Sequence, residues 1–121
     1  MMNTIKLVTY NVLAPCWAHA SYYPPSSTVY LDKVTRRASI INVLKDLAKT
    51  NDIIALQETQ EDEIGFFQDT LSKEGFGGFH TNHNDDYWSR YIVNDPPFVS
   101  NGVALFWNNK TINLLEVHYA K

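Results

Sequence analysis

This sequence predicts an α/β domain in the order strand, helix, strand, helix and then a β-hairpin, and three stretches carry the prediction. Residues 5–13, IKLVTYNVL, alternate: Ile5, Leu7, Thr9, Asn11 and Leu13 fall on one face, Lys6, Val8, Tyr10 and Val12 on the other. Between about Val29 and Lys49 the apolar period becomes helical. Residues 52–56, DIIAL, form a short apolar run of strand length. A strand, a helix and a strand in succession imply a parallel pair with a right-handed crossover.

Each element has a local reason. The first strand is rich in Val, Ile, Thr and Tyr, which suit a pleated surface. Pro24 and Pro25 break the chain in the loop after it. In the helix, Val34, Ala38, Ile41, Leu44 and Ala48 form one stripe with Ile40 and Leu47 alongside, while Lys33, Lys45, Asp46 and Lys49 are expected to face out. TQED at 59–62 offers a capping-box start to a second helix with the stripe Ile64, Phe67 and Leu71, and Gly75 stands where that helix should stop. FGGFH at 76–80 suits a short strand, and residues 81–100, rich in Asn, Asp and Pro, read as an irregular loop. GVALFW at 102–107, the turn NNK and TINLLEVHY at 111–119 read as the hairpin.

At 121 residues the chain fits one domain. With 45% hydrophobic and 19% charged residues it is too apolar to be disordered. The net charge of -3 gives no indication of nucleic-acid binding driven by charge alone. An acidic chain can still process phosphate esters if a divalent metal supplies the positive charge. The single cysteine, Cys16, excludes an intrachain disulfide and points to a reducing compartment. No signal-peptide pattern opens the sequence and no apolar run reaches transmembrane length. An intracellular, cytoplasmic protein with no membrane partner is expected.

The chemistry centres on Asn11 and Glu58. Each lies toward the C-terminal end of a predicted parallel strand, where ligand sites of α/β sheets gather. A carboxylate suits Mg²⁺, which keeps several waters and needs only one or two protein carboxylates. An amide can orient a metal-bound water or a phosphate oxygen. The plainer alternative is that Asn11 is a strand-end polar residue and Glu58 a turn residue.

The segments TYNVLA at 9–14, DIIALQET at 52–59 and NGVALFW at 101–107, with Arg36 on the intervening helix, resemble the endonuclease/exonuclease/phosphatase family. The nearest likeness is to its deadenylase-like branch, whose members also begin with a Tyr-Asn-Val-Leu strand. The resemblance implies the N-terminal half of a four-layer α/β/β/α sandwich. It implies Glu58 as a Mg²⁺ ligand (Mn²⁺ as an alternative ion) and Asn11 beside the metal and the scissile phosphate. Arg36 matches a helix arginine with a structural role. Metal-assisted attack of water on a phosphate ester is the implied reaction, with nucleic acid as partner and RNA favoured.

The family's later motifs, an Asp-x-Asn and an Asp-His pair, have no counterpart in this sequence, and Asn101-Gly102 stands where Asp-Gly is usual. Residues 1–121 therefore read as a partial domain. Half of such a sandwich would leave one sheet face uncovered, so a second chain or self-association is expected to cover it. Two functions follow from different classes: part of a Mg²⁺-dependent phosphodiesterase, or a catalytically incomplete fragment or interaction module of the same fold.

Other features read more simply. HTNHNDD at 80–86 suits a solvated loop better than a metal site. Cys16 lacks a base partner and reads as a small buried thiol. The loop aromatics Trp17, Tyr22, Tyr23, Tyr87, Trp88 and Tyr91, with Arg90, suit loop packing, base stacking being the alternative. VTRRAS at 34–39 reads as a solvated basic helix face.

Overall fold

A computed structural model describes residues 4–16, 18, 23–25, 31–82 and 99–118. The elements are β1 (Leu7–Asn11), α1 (Lys33–Thr50), β2 (Ile53–Gln60), α2 (Ile64–Lys73), β3 (Phe76–Asn82) and β4 (Asn101–Asn108). They build one sheet in the order β1-β2-β4-β3. As the sequence predicts, β1 and β2 are parallel and α1 is their crossover. β4 runs antiparallel to both β2 and β3.

Helix α1 starts later than the apolar period suggests. Asp32 is its N-cap and accepts from Thr35 N at 2.8 Å and from the Thr35 hydroxyl at 2.7 Å. Val29 lies outside the described residues. Ile40 and Leu44 are buried, with Ile41, Leu47 and Ala48 packed against the same core. Val34, by contrast, is 65% exposed, and Ala38 is exposed as well. The first turns of α1 instead turn polar groups toward α2, because Lys33 and Arg37 have carboxylate partners where α2 begins.

Strand β2 is longer than DIIAL and runs on through Gln60. Thr59 is therefore a strand residue whose hydroxyl donates to Gly102 O at 3.1 Å, and no capping box forms from TQED. Glu63 occupies the N-cap position of α2 without a capping bond, since Arg37 takes its carboxylate. Gly75, with φ of 84°, ends the turn after α2 as expected.

The hairpin also differs. Residues 112–118 carry no strand, and the antiparallel pair is β3 with β4. The reason is geometric: β2 and β3 occupy both edges of β4, so the segment after it finds no free edge there.

The core lies between the helices and one sheet face. Val12, Ile54, Leu56, Ala104 and Phe106 meet Ile40, Leu44, Ile64, Phe67 and Leu71, with Val8 and Tyr10 at its margin. The opposite face shows Leu7 (59% exposed), Val103 (50%) and Leu105 (45%), and no helix of the described residues covers it. Register aligns this face in rows: Leu7, Ile53 and Trp107, then Thr9, Ala55 and Leu105, then Asn11, Gln57 and Val103. The rows turn from apolar to polar toward the end where β1 and β2 finish. No helix among the described residues is long and apolar enough to cross a membrane.

Two outcomes test this packing. A Cβ on Gly102 would collide with the Thr81 carbonyl and the Asn82 backbone of β3. Gly102→Ala should therefore lower stability by about 3 kcal/mol, read as a shift of the urea midpoint. The second concerns acid. Asp32 has its pKa lowered by the Thr35 hydroxyl and N–H, and Asp52 by the Lys6 N–H and then the Thr111 hydroxyl. A carboxylate with a depressed folded pKa stabilises fully above its unfolded value, ordinarily 3.8 here, and that stability is lost as pH falls through the folded value. Urea midpoints should drop below about pH 4, less steeply in Asp32→Asn.

Candidate metal and phosphate site

Parallel pairing sets Asn11, the last residue of β1, opposite Gln57, so Glu58 falls at the same end of the sheet. Glu58 is not at a strand terminus. It is the extra residue of a β-bulge between Gln57 and Thr59, with φ of 58°. A bulge removes a residue from the two-residue alternation and re-aims its side chain. A left-handed conformation at a non-glycine residue costs about 1 kcal/mol or more and persists only where neighbours hold it.

The neighbours are identifiable. Val12 N donates to Gln57 O at 3.1 Å, tying the chain after β1 to the bulge. Thr59 is fixed twice: its hydroxyl donates to Gly102 O, and His80 Nε2 lies 3.2 Å from its carbonyl. Since a carbonyl only accepts, Nε2 carries the proton in that contact. Leu13, with φ of 54°, is a second left-handed residue facing the same region.

Asn11 Oδ1 accepts from Leu13 N at 2.9 Å, an Asx-type turn that fixes the amide and leaves its NH₂ as a donor. Glu58 Oε2 accepts from Ala14 N at 3.3 Å, a long bond for a charged acceptor. Its other oxygen has no hydrogen-bond partner among the described residues. Glu58 lines a cleft with Leu13, Pro15, Lys33, Arg36 and Gln60. Arg36 is committed elsewhere: Nη2 donates to Val12 O at 2.7 Å, tying α1 to the end of β1.

The expectation of a solvated basic face at residues 34–39 is corrected at Arg37. Its Nε and Nη2 bind the two oxygens of buried Glu63 at 2.6 and 2.9 Å, and its guanidinium lies 3.9 Å from the centre of the Phe66 ring. This bidentate, stacked geometry is particular to arginine. Lys33 joins by pairing with Asp62 at 2.9 Å, so α1 and the start of α2 are locked beside the cleft. Burial pushes the Asp62 carboxyl up, but hydrogen bonds from Gln60 and Lys33 outweigh it and hold the group below its ordinary value.

Cys16 is the buried thiol expected of it. Burial pushes its pKa up, its Sγ donates to Val99 O at 3.6 Å, and Asn101 Nδ2 donates to the sulfur at 3.8 Å. A protonated thiol so enclosed is a poor nucleophile. From HTNHNDD, His80 is the bulge support just described, while His83, Asp85 and Asp86 lie outside the described residues. Of the loop aromatics, Tyr23 is half-buried, and Trp17, Tyr22, Tyr87, Trp88 and Tyr91, with Arg90, lie outside them too. The supporting roles of Gln60 and His80 escaped the sequence reading, because they exist only through contacts with residues distant in sequence, Cys16 for Gln60 and Thr59 for His80.

The strain at Glu58 has a signed consequence. In an ordinary strand alanine is more stable than glycine by roughly 0.5–1 kcal/mol. At Glu58 the order should reverse, with Glu58→Gly about 1 kcal/mol more stable than Glu58→Ala in urea unfolding.

No family model matches the sequence. The probable RNA exonuclease NGL3 of Saccharomyces cerevisiae is 26% identical over 111 residues, which are 91% of this chain and 19% of the yeast protein. The crystal structure of ANGEL2, a 2′,3′-cyclic phosphatase, superposes with a TM-score of 0.72 at 19% identity, over 93% of this chain and 29% of that one. Its complex with adenosine-2′,3′-vanadate gives 0.73 over the same shares. The chain thus spans less than a third of the proteins it matches. The mixed four-stranded sheet and two helices correspond to the N-terminal part of the ANGEL2 fold. The chain is therefore similar in sequence to the first of these proteins and shares the fold of the second, in each case over part of that protein's length.

Proposed function

We propose that this chain supplies the first part of a Mg²⁺-dependent phosphodiesterase that hydrolyses RNA or a related nucleotide ester in an intracellular setting, residues 1–121 being the N-terminal half of the family domain. The observation that carries the reading is Glu58. A sheet holds its backbone in a strained bulge and leaves its carboxylate with a single long hydrogen bond among the described residues. Strain at one residue, sustained by contacts from three strands, is characteristic of functional sites.

The donor set suits the ion. Mg²⁺ takes oxygen ligands, needs one or two carboxylates and retains waters, whereas a closed transition-metal site would need a cluster of His, Cys or carboxylates. Among the described residues no three such side chains gather. Glu58 would hold the ion, Mn²⁺ being an alternative occupant. When bound, the ion supplies Lewis acidity and neutralises charge on the phosphate. Asn11 would point its NH₂ at a phosphate oxygen or at the attacking water. Because its oxygen already accepts from Leu13, the donor role is favoured over direct metal ligation. Arg36 and the Arg37–Glu63 pair would keep α1 from shifting relative to the cleft.

The names of the similar proteins support RNA-related esters: one is a probable RNA exonuclease, the other a 2′,3′-cyclic phosphatase. A second reading has its own support. The sheet face that no helix of the described residues covers favours a catalytically incomplete fragment or interaction module. In that case a second chain, or a second copy, would cover the face bearing Leu7, Val103 and Leu105.

Cleavage of a labelled single-stranded RNA in Mg²⁺ distinguishes them. The enzyme reading expects cleavage by the purified chain that falls roughly a hundredfold or more in Glu58→Ala. No cleavage by a folded chain, or cleavage indifferent to Glu58, leaves the interaction-module reading standing.

A further inference from the structure

Two side chains from the end of β2 hold the loop that leaves β1, and they hold it unequally. Ala14 N reaches Glu58 Oε2 at 3.3 Å, but Cys16 N reaches Gln60 Oε1 at 2.8 Å. Gln60 is 2% exposed, and its Nε2 donates to Asp62 Oδ1 at 2.5 Å. Asp62 in turn accepts from Lys33 Nζ at 2.9 Å. A chain of bonds therefore runs from the loop backbone through Gln60 and Asp62 to helix α1.

The amide is what this position requires. It accepts from a backbone N–H with one atom and donates to a carboxylate with the other. A glutamate could accept from Cys16 but would meet Asp62 with like charge. A leucine of similar size would leave the Cys16 N–H buried and unpaired.

We propose that Gln60 is a positioning residue for Glu58: it carries the anchoring of the loop, so the Glu58 carboxylate stays free to turn to a divalent cation. This rests on the reading of Glu58 as the cation ligand. A carboxylate holding the loop by short, charge-assisted bonds would have to surrender them on coordination. One holding it by a single 3.3 Å bond surrenders little. Gln60 fixes Cys16 two residues beyond Ala14 and so sets where the Ala14 N–H lies without drawing on Glu58. Without it, the loop leans on Glu58 or drifts from it, and cation affinity falls in either case.

The test uses Mn²⁺ alone as the probe, with binding to the whole 121-residue chain followed by electron paramagnetic resonance. Urea midpoints and amide exchange at Ala14 and Cys16 accompany it. Gln60→Leu should weaken Mn²⁺ binding about tenfold or more, as loss of an outer-shell partner does, and should speed exchange at both amides. Gln60→Glu should weaken binding too. The double variant Gln60→Glu/Asp62→Asn reverses the donor and acceptor while keeping both bonds, and should return affinity to within about threefold of the parent, on the scale by which outer-shell loss is judged. A purely structural Gln60 would lower the urea midpoint and leave the Mn²⁺ affinity of the folded chain unchanged; that result overturns the proposal. If Gln60→Leu fails to fold, absence of rescue in the double variant overturns it instead. Mn²⁺ affinity that is undetectable in the parent, or unchanged in Glu58→Gln, overturns the reading of Glu58 itself.

Discussion

Pairing β1 with β2 in parallel, Leu7 against Ile53 through Asn11 against Gln57, obliges both strands to finish at one end of the sheet, and the candidate chemistry depends on that register. An antiparallel pairing would send Asn11 and Glu58 to opposite ends. The crossover through α1 makes the parallel arrangement possible, and the burial of Ile40 and Leu44 against Ile54 and Leu56 holds the helix to the sheet. Arg36 then closes the unit by binding the Val12 carbonyl just past β1.

Within that frame the bulge at Glu58 performs a second task. Regular alternation would give Glu58 the orientation of Leu56, two residues earlier, which is buried in the core. An unpaired carboxylate there would be costly. One inserted residue takes Glu58 out of that row, and the cost appears as a left-handed backbone. Thr59, His80 and the Val12 amide resist relaxation of the bulge. Gln60, immediately beyond, holds the neighbouring loop. At this end of the sheet the bond to Glu58, at 3.3 Å, is longer than those that hold Thr59, Val12 and Cys16.

The two sheet faces have different fates. One is sealed by α1 and α2. The other presents rows of apolar side chains that grade into Asn11 and Gln57 at the site end. The Glu58 cleft, lined by Lys33, Arg36 and Ile40 of α1, belongs to the helix-covered side instead.

What the sequence determined by itself was the set of elements whose periodicity is local. The alternation of residues 5–13, the α1 stripe through Ile40 and Leu44, the buried run of β2 and the stop at Gly75 are all short-range consequences of side-chain pattern. Asn11 and Glu58 stood out as candidates for the same reason, each following a recognisable strand pattern, although Glu58 lies in a bulge rather than at the end of β2. Only the tertiary structure decided the rest. Nothing within TQED shows that β2 continues through it, because that continuation comes from pairing with β4, forty residues away in sequence. Residues 112–118 have a strand's alternation but no strand, since both edges of β4 are already occupied. Arg37 turns inward, against its expected exposure, because Glu63 arrives from another element, while Lys33 pairs with Asp62 at the surface. Gln60 gains its role only when the loop after β1 folds over it. Periodicity is a property of neighbours in the chain; pairing, bulges and ion networks are properties of neighbours in space.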